Sequence, residues 1–134
     1  MAGLTHLLDS DVVIQTLRGP GRALTQKLLQ HDGALAVSAI SVAELNYGAL
    51  RAQRQDDALD ALAEFLDAIV VLEVETRVAR VAGAIRADLA GRGTPIGPYD
   101  VLLAGHARAE GLVLATGNTR EFRRVKDLRV ESWR

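Results

Sequence analysis

Short apolar runs alternate with longer amphipathic stretches along the whole chain, and this alternation narrows the fold more than any other feature. Residues 4–8, 34–37, 69–74 and 112–115 are runs of four to six mostly apolar residues. They are too short for helices and read as buried strands. Between them the apolar residues fall at helical spacing. The segments 11–18, 20–31, 41–52, 56–68, 76–91 and 98–110 are predicted helices. Pro20 suits the start of one helix, and Gly91 and Gly93 close another. A helical turn over 119–123 and an edge strand over 129–132 complete the reading. Strands separated by helices argue for a parallel sheet covered on both faces. The fold class predicted is therefore a three-layer α/β/α domain with a central, mainly parallel sheet. At 134 residues the chain forms one domain, 1–134.

The acids fall at the ends of these runs. Asp9 closes the first strand, and Glu44 follows the second in S-V-A-E-L. Asp100 opens the helix that starts at Pro98. Asn118 and Glu121 follow the strand L-V-L-A. In an open parallel sheet the carboxyl ends of the strands converge on one crevice, where ligands bind. Each residue also has a plainer reading. Asp11 or Ser10 can cap a helix, and Ser41 to Glu44 spells a capping box. Asp100 complements a helix dipole, and Asn118 with Glu121 fits a cap and its third position. Capping accounts for each acid singly but does not require the capped helix starts to meet.

Carboxylates that do meet repel one another unless a cation sits among them. An oxygen-only set suits Mg²⁺, with Mn²⁺ as the alternative, and not zinc. Asp9, Glu44 and Asp100 are the predicted ligands. Asp11 is placed to ligate or to hold a metal-bound water, and Asn118 and Thr116 to orient the ligands. The chemistry such a site supports is phosphodiester hydrolysis by metal-activated water. Cysteine is absent, so there is no thiolate nucleophile and no Cys-based zinc site. Its absence also suits a reducing, cytoplasmic setting. No stretch approaches the ~20 apolar residues of a membrane span.

Four blocks, L-L-D-S-D-V-V-I, S-V-A-E-L-N-Y-G, R-G-T-P-I-G-P-Y-D-V-L-L-A-G-H-A and T-G-N-T-R-E-F-R-R-V, resemble PIN-domain proteins in their order. More narrowly, the chain is similar to VapC-type ribonuclease toxins of type II toxin–antitoxin systems. The resemblance implies a Mg²⁺-dependent endoribonuclease with an RNA substrate, a homodimer, and a cognate antitoxin that blocks the site. It also places the acids on Asp9, Glu44 and Asp100, with Asn118 at a fourth position that many members fill with Asp. Asp11 stands where Asn is common. Glu121 is the candidate for a fourth acid. The alternative is a catalytically silent module of the same fold that binds an antitoxin or RNA without cleaving. A phosphoryl-accepting signalling domain also clusters acids at strand ends, but neither Lys27 nor Lys126 follows an apolar strand.

Net charge is −1, so a phosphate-binding surface would have to be local. Arg120, Arg123 and Arg124 beside Asn118 are the candidates, against a solvated surface turn. Tyr99, next to Asp100, is a candidate to stack on a base or simply to pack at the helix entry. His106 is expected to be partly exposed, and His6 and His31 carry no catalytic signal. The helices over 41–68 carry more apolar surface than one sheet face requires, which suits core packing or a groove for an antitoxin helix. An Arg or Lys of such a partner would pair with the carboxylates. Helix 76–91 is the candidate self-association face through Val78, Ile85 and Leu89.

Overall fold

The computed structural model describes residues 3–133. Five strands form a single sheet: β1 (His6–Leu8), β2 (Leu35–Ser38), β3 (Val70–Leu72), β4 (Val113–Thr116) and β5 (Val130–Ser132). Their spatial order is β3-β2-β1-β4-β5, and every neighbouring pair is parallel. The helices are α1 (Ser10–Arg18), α2 (Gly21–Gln30), α3 (Ala39–Leu50), α4 (Gln55–Asp67), α5 (Thr76–Gly91), α6 (Pro98–Glu110) and the short α7 (Thr119–Phe122). The α/β class and the parallel sheet are as the sequence predicts. Strand ends are trimmed: β1 begins at His6, and β3 stops at Leu72 because the chain turns away towards α5.

Alternate residues of each strand enter opposite layers, as the two-residue period of a pleated strand requires. Leu7, Ala36 and Leu114 pack with Ile85, Leu89, Leu103 and Ala107 of α5 and α6. Leu8, Val37 and Ala115 pack with Val12, Leu24, Leu45 and Leu62 from α1 to α4. Both faces are thus covered, which is why the central strands read as continuous apolar runs. Within the first layer α5 and α6 cross very closely at Gly105. A Cβ on Gly105 would stand 2.7 Å from Ala82 Cα and 2.8 Å from Ala82 N, so only glycine fits.

Two sequence expectations about helices change. The α3 helix begins at Ala39, with Ser38 as its cap, because β2 runs straight into it. Ser41 is therefore fully buried inside the helix, and Glu44 lies beyond the first turn. The capping-box reading of Ser41 and Glu44 does not hold. The apolar stripe of α5 does not extend past the core either. Val78, Ile85 and Leu89 are at most 2% exposed, since the core takes up the whole face.

Strand order fixes where the acids go. From β1 the chain steps outward through β2 to β3, then returns across the sheet to β4 and out to β5. Connections from β1 and β4 therefore leave in opposite directions. A crevice opens at that switch point, outside the carboxyl ends of the two strands.

Candidate active site

Asp9 leaves β1 directly into this crevice and is 7% exposed. Its backbone N–H donates to the Ala115 carbonyl of β4 at 2.9 Å, locking the two strand ends together. Its carboxylate is fixed from two sides. Ser10 N–H donates to Oδ1 at 2.7 Å, and the buried Thr116 hydroxyl donates to Oδ2 at 2.7 Å. Thr116 Oγ1 also accepts from the Asn118 N–H at 2.9 Å, which shapes the turn after β4. Thr116 thus fixes the orientation of the Asp9 carboxylate. Ser10 adds a bridge that sequence reasoning missed. Its hydroxyl lies 3.5 Å from both Asp9 Oδ1 and Glu44 Oε2, so it spans the acids of β1 and α3.

Asp11 is in the first turn of α1 but does not cap it. Its Oδ2 accepts from Gly117 N–H across the crevice at 2.9 Å. Its Oδ1 is buried with no hydrogen-bond partner among the described residues. A buried, unpaired carboxylate oxygen is costly unless another group completes it.

Asp100 stands in the first turn of α6, held by the Gly97–Pro98 entry. A Cβ on Gly97 would lie 3.4 Å from Asp100 Oδ2, so the loop packs against the carboxylate. Asn118 occupies the cap position of α7 without making a side-chain cap bond. Its amide instead donates to Glu121 Oε2 at 2.6 Å, while Glu121 Oε1 accepts from Gly97 N–H at 3.1 Å. Asn118 and Glu121 therefore brace α7 against the start of α6, beside Asp100.

The charges respond to one another. Asp9 is pushed up to about 6, chiefly by burial and also by Asp11 and Glu44. Asp100 is likewise pushed up to about 6, first by burial and then by Glu121, Asp9 and Glu44. Glu44 is raised by burial and by Asp11. Acids from β1, α1, α3, α6 and α7 thus share one field. Among the described residues no Lys, Arg or His lies within salt-bridge distance of Asp9, Asp11, Glu44, Asp100 or Glu121. Nor, among those residues, are three His, Cys, Asp or Glu side chains drawn tightly enough to enclose an ion. The acids line an open crevice. The donor set is entirely oxygen, it lacks a counter-charge, and it includes the unpaired Asp11 Oδ1. Those properties fit a hard divalent cation that keeps water or substrate in part of its shell.

The basic residues divide. Arg120 and Arg123 are exposed, one in α7 and the other just after it. Arg124 donates to the Pro95 carbonyl at 3.2 Å and so ties α7 to the loop before α6. Tyr99 is 57% exposed at the start of α6. His106 departs from expectation: it is fully buried, with Nδ1 2.8 Å from Ser38 Oγ. Its burial could not be inferred from helical spacing, because α6 is buried at every position from Leu103 to Ala107 and not along one stripe. His6 and His31 cluster with Trp133 instead, their ring centroids 4.5 Å apart and each 5.1 Å from the indole.

A groove of about 250 Å³ adjoins the crevice, lined by Ile14, Leu17, Glu44, Leu45, Ala49 and Leu62. Ile14 and Leu17 are each 38% exposed there. Among the described residues no helix is long and apolar enough to cross a membrane.

Comparison with known proteins gives a consistent result. A PIN domain family model matches residues 6–128. The chain is 38% identical to a tRNA(fMet)-specific endonuclease VapC of Shigella flexneri, over 97% of this chain and 98% of that protein. It is 36% identical to a ribonuclease VapC2 of Haemophilus influenzae over the same shares. Among solved structures it resembles a DNA-bound VapBC from Salmonella typhimurium, with a TM-score of 0.94 and 36% identity, covering 98% of this chain and 99% of that one.

Proposed function

The chain belongs to the PIN-domain family, and from that membership we propose that it is a metal-dependent endoribonuclease acting as the toxin of a toxin–antitoxin pair. The observation that carries the reading is the convergence of Asp9, Glu44 and Asp100 at the β1/β4 switch point without a basic partner. Relatives of nearly the same length that are named as ribonucleases support it.

Asp9, Glu44 and Asp100 would hold Mg²⁺ or Mn²⁺, with Asp11 as a further oxygen donor. When bound, the ion supplies a water of lowered pKa and offsets the charge of an in-line phosphodiester transition state. The chain's own residues do the positioning. Thr116 and Ser10 fix both oxygens of Asp9, so the carboxylate enters the reaction with little reorganisation. Asn118 and Glu121 hold α7 against α6 and keep Asp100 facing the crevice. Arg120 and Arg123 would hold RNA phosphates, while Arg124 ties α7 to the loop before α6. A tRNA is the first substrate class to examine, because a relative 38% identical is named for tRNA(fMet).

The groove beside Glu44 suits an apolar helix of an antitoxin, and a basic side chain following that helix would reach uncompensated carboxylates. The solved VapBC relative supports an antitoxin partner. Self-association would need a face other than the buried stripe of α5.

The test is cleavage of tRNA(fMet) and total RNA by the purified chain with Mg²⁺ or Mn²⁺ against EDTA, beside Asp9→Asn and Asp100→Asn. Products that vanish with chelator and with either variant are expected. Intact RNA in every lane, with Mn²⁺ bound by calorimetry, would leave the silent binding module.

A further inference from the structure

Ser38 and His106 are both fully buried. Ser38 ends β2 and caps α3, its Oγ accepting from the Ile40 N–H at 3.1 Å. The same oxygen lies 2.8 Å from His106 Nδ1 on α6. Glu44 follows Ser38 by six residues, and Asp100 precedes His106 by six. One hydrogen bond thus links the two helices that bring these acids to the crevice, less than two turns from each acid.

Stability alone does not account for this bond. His106 Nε2 is buried without a partner among the described residues. Leaving a buried polar atom unmet is costly, so an apolar side chain of similar shape would suit the core better. Burial also holds the ring neutral, its pKa lowered chiefly by desolvation. A neutral imidazole adds direction. The helices α3 and α6 pack in opposite layers of the sheet, so layer packing leaves their relative placement at the sheet edge loose, whereas a 2.8 Å bond between two buried groups ties them there.

We propose that Ser38–His106 is a positioning strut that sets α3 against α6 and so holds Glu44 and Asp100 at the separation that takes a divalent cation. The inference rests on the metal-dependent reading of the crevice. His106 touches neither substrate nor metal in this account and acts through Ser38 and the two helices.

The experiment is Mn²⁺ titration calorimetry on the full chain, well below its melting temperature, for wild type, His106→Leu, His106→Asn, Ser38→Ala and the control Leu24→Ala. Leu24 is a buried core residue of α2, in the opposite layer from α6. His106→Leu and Ser38→Ala are expected to weaken Mn²⁺ binding about tenfold, as loss of ligand orientation does elsewhere. His106→Asn, whose amide reaches as far as Nδ1, is expected to bind within about threefold of wild type. Leu24→Ala should lose melting temperature and keep its Mn²⁺ affinity. If His106→Leu does not fold, Ser38→Ala and His106→Asn decide the matter. Unchanged affinity in folded Ser38→Ala or His106→Leu overturns the strut, as does an equal loss in Leu24→Ala or no recovery in His106→Asn. A wild-type chain that binds no Mn²⁺ overturns the reading of the crevice and the strut with it.

Discussion

Asp100 weakens the fold at neutral pH. Its carboxyl is raised to about 6, first by burial and then by three other acids, while an unfolded Asp titrates near 3.8. The folded state therefore binds its proton more tightly than the unfolded state. That contribution to stability is fully present below about pH 4 and is lost as pH rises through about 6. Asp100→Asn removes this share of the pH dependence and leaves that of Asp9 and Glu44. In EDTA the variant should melt above wild type at pH 7.5, and the difference should shrink towards zero at pH 4. A melting difference that does not change with pH would contradict the assignment. The same substitution is expected to abolish cleavage, the usual opposition between stability and function at a charged site. At this scale the sequence was partly legible. Asp9 and Asp100 could be located because each abuts a strand or helix end. Glu44 carried a false capping signal, because the helix start moved from Ser41 to Ala39. Ser10 was legible only as a cap candidate and Ser38 gave no signal, since a serine beside a helix start is ordinary.

The crossing of α5 and α6 depends on one missing methyl group. A Cβ at Gly105 would meet both the backbone and the Cβ of Ala82 at 2.7–2.8 Å. Gly105→Ala should destabilise the chain by at least about 1–3 kcal/mol, read as a lower denaturant midpoint. Ala82→Gly should not rescue it, because the clash includes backbone N and Cα. Full rescue would show that only the Ala82 methyl matters. The edge strand is held by different means. The backbone N–H of Trp133 donates to the Thr116 carbonyl at 3.2 Å, and His6 pairs with Glu131 at 2.9 Å. The chain end thereby steadies the turn that holds Asp9. Helices of three or more turns were readable from their spacing. Strand ends were not, because a three-residue strand such as β3 is delimited by its partner's register rather than by its own residues.

Across the whole molecule, site occupancy and fold stability are one equilibrium. A cation that binds the gathered acids and not the unfolded chain stabilises by about 2.7 kcal/mol at a hundredfold excess over its dissociation constant. Mn²⁺ should therefore raise the melting temperature of wild type by several degrees, since 1 kcal/mol corresponds to roughly 2–8 °C for domains of this general size. Asp100→Asn should show little or no rise. Equal rises in both would place the ion elsewhere. The chemical kind of the protein follows from local information: the βα alternation, the oxygen-only acid set, the absence of cysteine, and blocks that resemble one family. Those are properties of neighbouring residues, and period and spacing express them directly. What the linear order could not supply was which groups share space. The order β3-β2-β1-β4-β5 put Asp9 beside Thr116, turned Asn118 to Glu121 and buried His106 against Ser38. Each of these pairings depends on sheet topology and on the packing of α6, where residues up to 107 positions apart are brought within hydrogen-bonding distance.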